Sequence, residues 1–309
     1  MAKESDPEPD AEKERPNLDA AGKITSPVEN VSPFASFHIR NFRLLLAGTV
    51  LSNAGQWIQQ ITLSWLVYNL TGSGTMLGSI NMIRSASSLA MIPVAGVMID
   101  RVNRRKLMLM TNGWLFIITL GLGIILLFDR SHIWYLFVFA FLGGLAQTID
   151  QNLRQVIIFD LVPRAATPNA VAIIQTGWSL MRSFGPGIGG FLILWVGPGG
   201  NFLVQAGAYA LITITIIQIQ FPARKLDAVR SSALQNIREG LRYVAKERVT
   251  RTFMIMGFVL PLFIIPIFSV LPPIYAAEVF HGGPEVLGFL LSFVGVGGIA
   301  GGVFVASLG

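Results

Sequence analysis

The sequence predicts an all-α, polytopic membrane protein, and three observations carry that prediction. Of its 309 residues 52% are hydrophobic and only 13% are charged, about half the charged share of a soluble globular chain. Apolar segments of about 20 residues recur along the chain with short breaks between them. Lys and Arg fall in clusters between those segments, so the net charge of +6 reads as membrane topology and not as a nucleic-acid surface.

Residues Met1 to Pro33 are polar, acidic and proline-containing, with no apolar period. They predict a disordered cytoplasmic tail over residues 1–39. The charged stretch is too long and acidic for a signal peptide, and no short apolar core with a cleavage site follows it. Eight apolar segments come next: Leu44–Leu70, Thr75–Ile99, Leu107–Phe128, Ile133–Arg154, Ala170–Val196, Phe202–Phe221, Phe253–Leu271 and Val286–Ser307. A hydrocarbon core about 30 Å thick needs about 20 helical residues, and each segment meets that length. Strands would need about ten with strict alternation, and no such alternation occurs. The organisation expected is a six-helix bundle over 40–221, a cytoplasmic connection over 222–252 and two further helices over 253–309. In the connection, Leu234, Ile237, Leu241 and Val244 recur at helical spacing with Arg238, Arg242 and Lys246 between them. That pattern predicts an amphipathic helix on the membrane surface.

The basic residues set the orientation. Four of the 23 Lys and Arg lie in the tail. With the amino terminus inside, sixteen of the other nineteen fall on the cytoplasmic side, Arg84 and Arg182 lie within the membrane, and Arg130 alone lies outside. The reverse topology would violate the positive-inside rule. There is no Cys, so disulfides and thiolate chemistry are excluded. His38, His132 and His281 are too scattered to form a metal site, and no cofactor is expected.

Polar groups inside the apolar segments are the candidate functional residues, because a mid-bilayer charge costs about 2.5–3.5 kcal/mol on insertion scales. Arg84 lies sixteen residues before Asp100, and Arg182 about thirteen residues into an outward-running helix. Both guanidinium groups are therefore expected at similar depth, roughly 20–24 Å from the cytoplasmic side, with no carboxylate beside them. They read either as an anion-attracting cavity or as structural arginines bonded to carbonyls. In the first segment Asn53, Gln56, Trp57, Gln59 and Gln60 cover more than one face, and some of them must line the cavity. Trp65 and Tyr68 read as interfacial anchors. Asp150, the one acid well inside a segment, lies one turn before Arg154. Gly185 and Gly189, with Gly297 and Gly301, form small-residue pairs suited to close helix packing, and Pro186 and Gly190 join them as helix-packing candidates.

The loop after the second segment reads Gly96-Val-Met-Ile-Asp100-Arg101-Val-Asn103-Arg104-Arg105-Lys106. Its spacing, composition and position resemble the signature loop of the major facilitator superfamily. In physical terms Gly96 would admit a neighbouring helix, Asp100 would cap or face a helix end, and the arginines would meet acidic partners and lipid phosphates. Asn41-Phe42-Arg43, Ser52 to Trp57, Trp65 to Ser73, Asp150 to Gln155, the Gly185-Pro186-Gly187-Ile188-Gly189-Gly190 run and Glu239 to Val244 are similar to other stretches of that family. Together they resemble its efflux subgroup, which includes enterobactin and macrolide-type exporters.

The resemblance implies twelve helices in two six-helix halves that rock about a central cavity, each half made of inverted three-helix repeats. It implies that Asp150 locks against an arginine of the signature loop, Arg104 first and Arg101 second, with proton carriage by Asp150 as the other reading. It also implies that the fifth and eighth helices meet at the boundary between halves. The function expected is secondary, proton-driven efflux of small amphipathic or anionic compounds. A nutrient importer of the same fold and an inactive fragment are the alternatives; a membrane enzyme would need a catalytic grouping that is absent. On this reading the ninth to twelfth helices are the missing partners, and residues 1–309 alone are expected not to transport. The partners expected are a small-molecule substrate, protons and the lipid bilayer.

Overall fold

The computed structural model describes residues 35–128, 132–221, 240, 242–259, 263 and 265–306. Every long element in it is helical: α1 (Arg40–Thr71), α2 (Gly74–Arg101), α3 (Arg104–Leu127), α4 (Ile133–Leu161), α5 (Thr167–Gln218), α6 (Arg248–Val259), α7 (Ile265–Ile274) and α8 (Pro284–Ala306). A π-helical stretch, Tyr275–Val279, continues α7. The tail before residue 35, Arg130 and the Leu234–Arg238 part of the expected amphipathic helix lie outside the described residues. Residues 242–246 of that connection are helical.

Local chemistry explains where the helices stop. Gly72 ends α1 in the left-handed region (φ 59°) and donates its N–H to the Tyr68 carbonyl, a conformation glycine adopts without strain. The Ser73 side chain then caps α2, accepting from the Met76 N–H. The next cap corrects an expectation: Asn103, and not Asp100, caps α3, its side chain accepting from the Arg105 and Lys106 N–H groups. Asp100 lies exposed on the last turn of α2, which runs on to Arg101.

Straight, the 52 residues of α5 would be about 78 Å long, more than twice a hydrocarbon core. Gly197 breaks it (φ 71°, ψ 173°) just before Pro198, so the fifth and sixth expected segments are its two arms. Their directions follow from their neighbours. Gly177, Gly185 and Gly189 of the first arm meet Val50, Trp57 and Ile58 of α1 in rising order. In the second arm Gln205 faces Gly55, and Thr215 faces Gly48. The arms therefore run in opposite senses. The same registers make α4 antiparallel to α1 and to α3, through Gln147–Gln59, Ser52–Asp150 and Asn112–Asp150.

The core is divided. One apolar cluster gathers Phe42, Leu107, Leu153, Ala170, Ile212 and their neighbours at one end of the bundle. Another gathers Leu63, Val67, Leu77, Leu122, Phe139 and Phe202 at the other end. Between them lies a band of buried polar side chains. Outward-facing residues are apolar as well, with Met82, Trp134 and Trp195 each more than 70% exposed, as a chain dissolved in lipid requires. Among the described residues, five helical elements are long and apolar enough to cross a membrane: α2, α3, α4, the stretch Arg164–Gln218 and Pro284–Gly301 of α8. The seventh expected span, Phe253–Leu271, falls instead on two described helices, α6 and α7.

Candidate functional site

The buried polar band is built from four helices. Asp150 of α4 is 1% exposed and accepts from Arg154 Nε (2.7 Å), Asn112 Nδ2 (3.0 Å) and Ser52 Oγ (3.3 Å). Nearer the far end, Gln59 Oε1 accepts from Gln147 Nε2 (2.9 Å) and Gln205 Nε2 (2.8 Å). Asn201 Nδ2 donates to Thr62 Oγ1 (2.6 Å) and to the Gly189 carbonyl (3.3 Å). Apart from the Arg154–Asp150 pair within α4, these bonds cross between helices or between the arms of α5, so the band ties α1, α3, α4 and both arms of α5 together. Groups this dry stabilise the arrangement only when paired, since an unpaired one keeps its full desolvation cost.

These contacts correct the expected lock. Arg104 pairs with Asp160 of α4 and not with Asp150. The reason is register: Arg104 opens α3, which runs antiparallel to α4, so it is level with the last turn of α4. Asp160 lies ten residues, about 15 Å, beyond Asp150, and Asn112, two turns into α3, meets Asp150 instead. Arg105 donates from Nη2 to the Ile217 carbonyl (2.8 Å), so it serves the α3–α5 junction. Arg154 is sealed in the band, with Nη1 lacking a hydrogen-bond partner among the described residues and facing Gly48. Gly96 is exposed with open space about its Cα, so no described helix approaches it.

A second set of polar residues lies outside the sealed band. Gln151 Nε2 donates to Gln56 Oε1 (2.7 Å) between α4 and α1, and Arg84 Nη1 donates to Gln60 Oε1 between α2 and α1. All four side chains are half-buried. Asn53 leaves this set: it is buried and bonded back to the Thr49 carbonyl of its own helix. Arg182 is exposed, with no hydrogen-bond or ion-pair partner among the described residues. Its level differs from expectation. Arg84 is level with Gly144 and hence with Gln59 and Gln60, whereas the Gly177–Val50 and Gly185–Trp57 contacts bring Arg182 level with Ala54. The two arginines are thus offset by about 8 Å along α1 at 1.5 Å per residue.

The glycines of α5 serve two neighbours, not the one foreseen. Gly185 and Gly189 face α1, where an added Cβ would lie 2.7 Å from Trp57 Cβ and 3.2 Å from Ile58 Cα. Gly187 and Gly190 face α8: the Gly187 N–H donates to Ser292 Oγ (2.9 Å), and a Cβ at Gly190 would lie 2.5 Å from the Pro284 carbonyl oxygen. The Pro186 carbonyl lies 2.7 Å from where a Cβ of Gly288 would be. On α8 the residues used are Gly288, Ser292 and Gly295; Gly297 and Gly301 have open space. Tyr68, in the last turn of α1, is 8% exposed and donates to Glu278 Oε1 (3.0 Å).

Sequence reasoning did not single out Asn112, Gln147, Gln151, Asp160, Asn201, Gln205 or Glu278. A polar residue within an apolar segment was the available signal for most of them. Their partners depend on registers between distant helices, which no local pattern encodes. No group of three or more His, Cys, Asp or Glu able to hold a metal occurs among the described residues.

The described residues form a multi-pass helical bundle with alternating helix directions, a polar band sealed inside it, and half-buried amides and an arginine beside that band, an arrangement that fits the fold of the major facilitator class. Residues 31–309 match the family model described as transmembrane secretion effector, and the chain belongs to that family, whose members are transporters and not enzymes. It is 27% identical over 252 residues to the staphyloferrin A transporter of Staphylococcus aureus, covering 79% of this chain and 62% of the relative. It is 26% identical over 266 residues to the multidrug efflux pump Tap of Mycolicibacterium fortuitum, covering 84% and 64%. Macrolide efflux protein A of Streptococcus pyogenes is 21% identical over 271 residues, covering 85% and 66%. The chain therefore spans slightly under two-thirds of the first two of these relatives. A crystal structure of a D-xylose–proton symporter superposes with a TM-score of 0.58 at 16% identity, covering 84% of this chain and 66% of the other, a likeness of fold.

Proposed function

We propose that the chain supplies the first six helices and two further helices of a proton-driven exporter of small amphipathic or anionic compounds. It works by alternating access, with its amino terminus in the cytoplasm. The observation that carries this reading is the half-buried row Gln56–Gln151 and Gln60–Arg84, which lies beside the sealed band and not within it. Amides that bond one another and an arginine bonded to an amide can all exchange partners with a ligand without stranding a buried charge. No carboxylate pairs with Arg84 or Arg182 among the described residues, so both guanidinium groups are available to anionic groups such as carboxylate, phosphate or catecholate.

The sealed band is the rigid frame of this reading. Asp150 is already matched by Arg154, Asn112 and Ser52, so its role is to fix the α1–α3–α4 register rather than to carry protons. The basic connection after α5, with Arg242, Lys246, Arg248 and Arg251, supports a cytoplasmic side there and hence the proposed orientation. The names of the efflux relatives support export over import.

The test compares anionic and neutral solutes in vesicles carrying the intact protein. Arg84→Gln is expected to cut transport of anionic solutes about tenfold or more, the scale of one charge-assisted hydrogen bond, while neutral solutes change little. Equal loss for both classes, together with poor folding in detergent, would make Arg84 structural and remove the anionic part of the proposal.

A further inference from the structure

Among the described residues, contacts between the six-segment bundle and α7–α8 run from the level of Arg182, midway along α1, to the end where α1 finishes. On α1 they involve Ile61 and Tyr68, on α2 Gly74, and on α5 the stretch from Arg182 to Ile193. Gly74 meets Ile274 and Val270, Phe191 meets Phe289 edge-on at 5.3 Å between ring centroids, and Ile61 and Ile193 cluster with Ala276 and Leu287. Farther along α8, Gly297, Gly298 and Gly301 have open space where a Cβ would be. Gly96 of α2 is likewise open. The contacts with α7–α8 close the end where α1 finishes and α2 begins.

Within the closed end one contact differs in kind. The Tyr68 hydroxyl donates to the Glu278 carboxylate at 3.0 Å, between α1 and the π-helical stretch after α7. The contacts around it are apolar or involve backbone. The Tyr68 side chain is 8% exposed overall, and its hydroxyl finds this acceptor in the closed end. Glu278 is exposed, so it regains water as soon as the contact parts. The stretch that carries it is unusual: Pro272 and Pro273 precede it, the Phe280 N–H reaches the Tyr275 carbonyl five residues back, and His281 has φ 47°. A π turn adds one residue to the helix and so rotates the side chains beyond it by about 100° about the axis.

We infer that the Tyr68–Glu278 hydrogen bond is the latch of the gate at this end, holding α7 against α1 in the closed state and releasing it when the cavity opens there. The inference rests on the alternating-access reading above, under which this end is the outer one. A charge-assisted bond suits the task because it is directional, stronger than a neutral one and replaced by water on opening. The packed glycine seam of α5 and α8 then guides the movement, and the latch sets the balance between states.

The test measures that balance without substrate. Residues 1–309 contain no Cys, so spin labels at Leu70→Cys and Val279→Cys, both exposed, report the separation of α1 from the π stretch in the intact protein in nanodiscs. Tyr68→Phe keeps the ring and removes the donor; Glu278→Ala removes the acceptor at an exposed site. Each is expected to lower the closed-to-open ratio about tenfold, and the double variant no further than either single one. Ratios within twofold of the parent for both single variants, or additive effects in the double variant, would overturn the latch. A protein that shows the coupled shift but no anion selectivity at Arg84 keeps the gate and loses only the proposed substrate class.

Discussion

Asp150 and Arg154 form the pair on which the interior of the bundle depends, with side chains 1% and 5% exposed. Removing one partner strands the other, which costs about 3–5 kcal/mol, whereas replacing both with apolar residues is often close to neutral. Arg154→Leu is therefore expected to lower the thermal unfolding midpoint in detergent by many degrees, and Asp150→Leu with Arg154→Leu to recover most of it. The Arg104–Asp160 pair is more exposed, at 11% and 27%, so its coupling in a double-mutant cycle is expected near 1 kcal/mol or less. The same cycle between Arg104 and Asp150 is expected to give no coupling, since the two residues engage different partners; a coupling above about 1 kcal/mol would restore the lock that the sequence resemblance implied. Arg154 was counted with the basic residues of the cytoplasmic side, and the structure buries it, while Asp150 was legible as the one acid well inside a segment. Their partners Asn112 and Ser52 were not, since an amide or hydroxyl within an apolar run satisfies many registers equally well.

At the scale of the element, helix existence was written in the sequence and helix contacts were not. Apolar runs of about 20 residues leave no other way to satisfy backbone groups in lipid, and α1 to α5 occupy the expected stretches. The break between the fifth and sixth segments was legible as well, in Gly197-Pro198. Which glycines meet which helix was not, because small residues spaced four apart lie on one face without naming the neighbour. The α5–α8 seam used Gly187, Gly190, Gly288 and Gly295, of which the expected set held Gly190 alone. Gly190→Val is expected to destabilise the protein by about 1–3 kcal/mol, as overpacking against the Pro284 carbonyl demands. Gly297→Ala, with open space about it, is expected to stay within about 0.5 kcal/mol of the parent. Matched thermal unfolding of the two variants in detergent checks the assignment, and equal losses would contradict it.

At the scale of the whole molecule, two apolar clusters enclose a polar frame, a half-buried polar row runs beside that frame, and α7–α8 close one end. Division of labour follows from burial. Groups sealed in the band can hold register but cannot meet a solute, while Gln56, Gln60, Arg84 and Gln151 can do so with little rearrangement. The fold class was readable from composition and basic-residue placement; the substrate class rests on charge at one half-buried arginine. The most direct measurement of the export proposal uses inside-out membrane vesicles containing the intact protein, energised so that their interior is acidic and offered a fluorescent amphipathic anion. Saturable accumulation of the dye, abolished by an uncoupler and lost with Arg84→Gln, is the result predicted. Uptake that appears only in right-side-out vesicles, or that ignores the proton gradient, would contradict it.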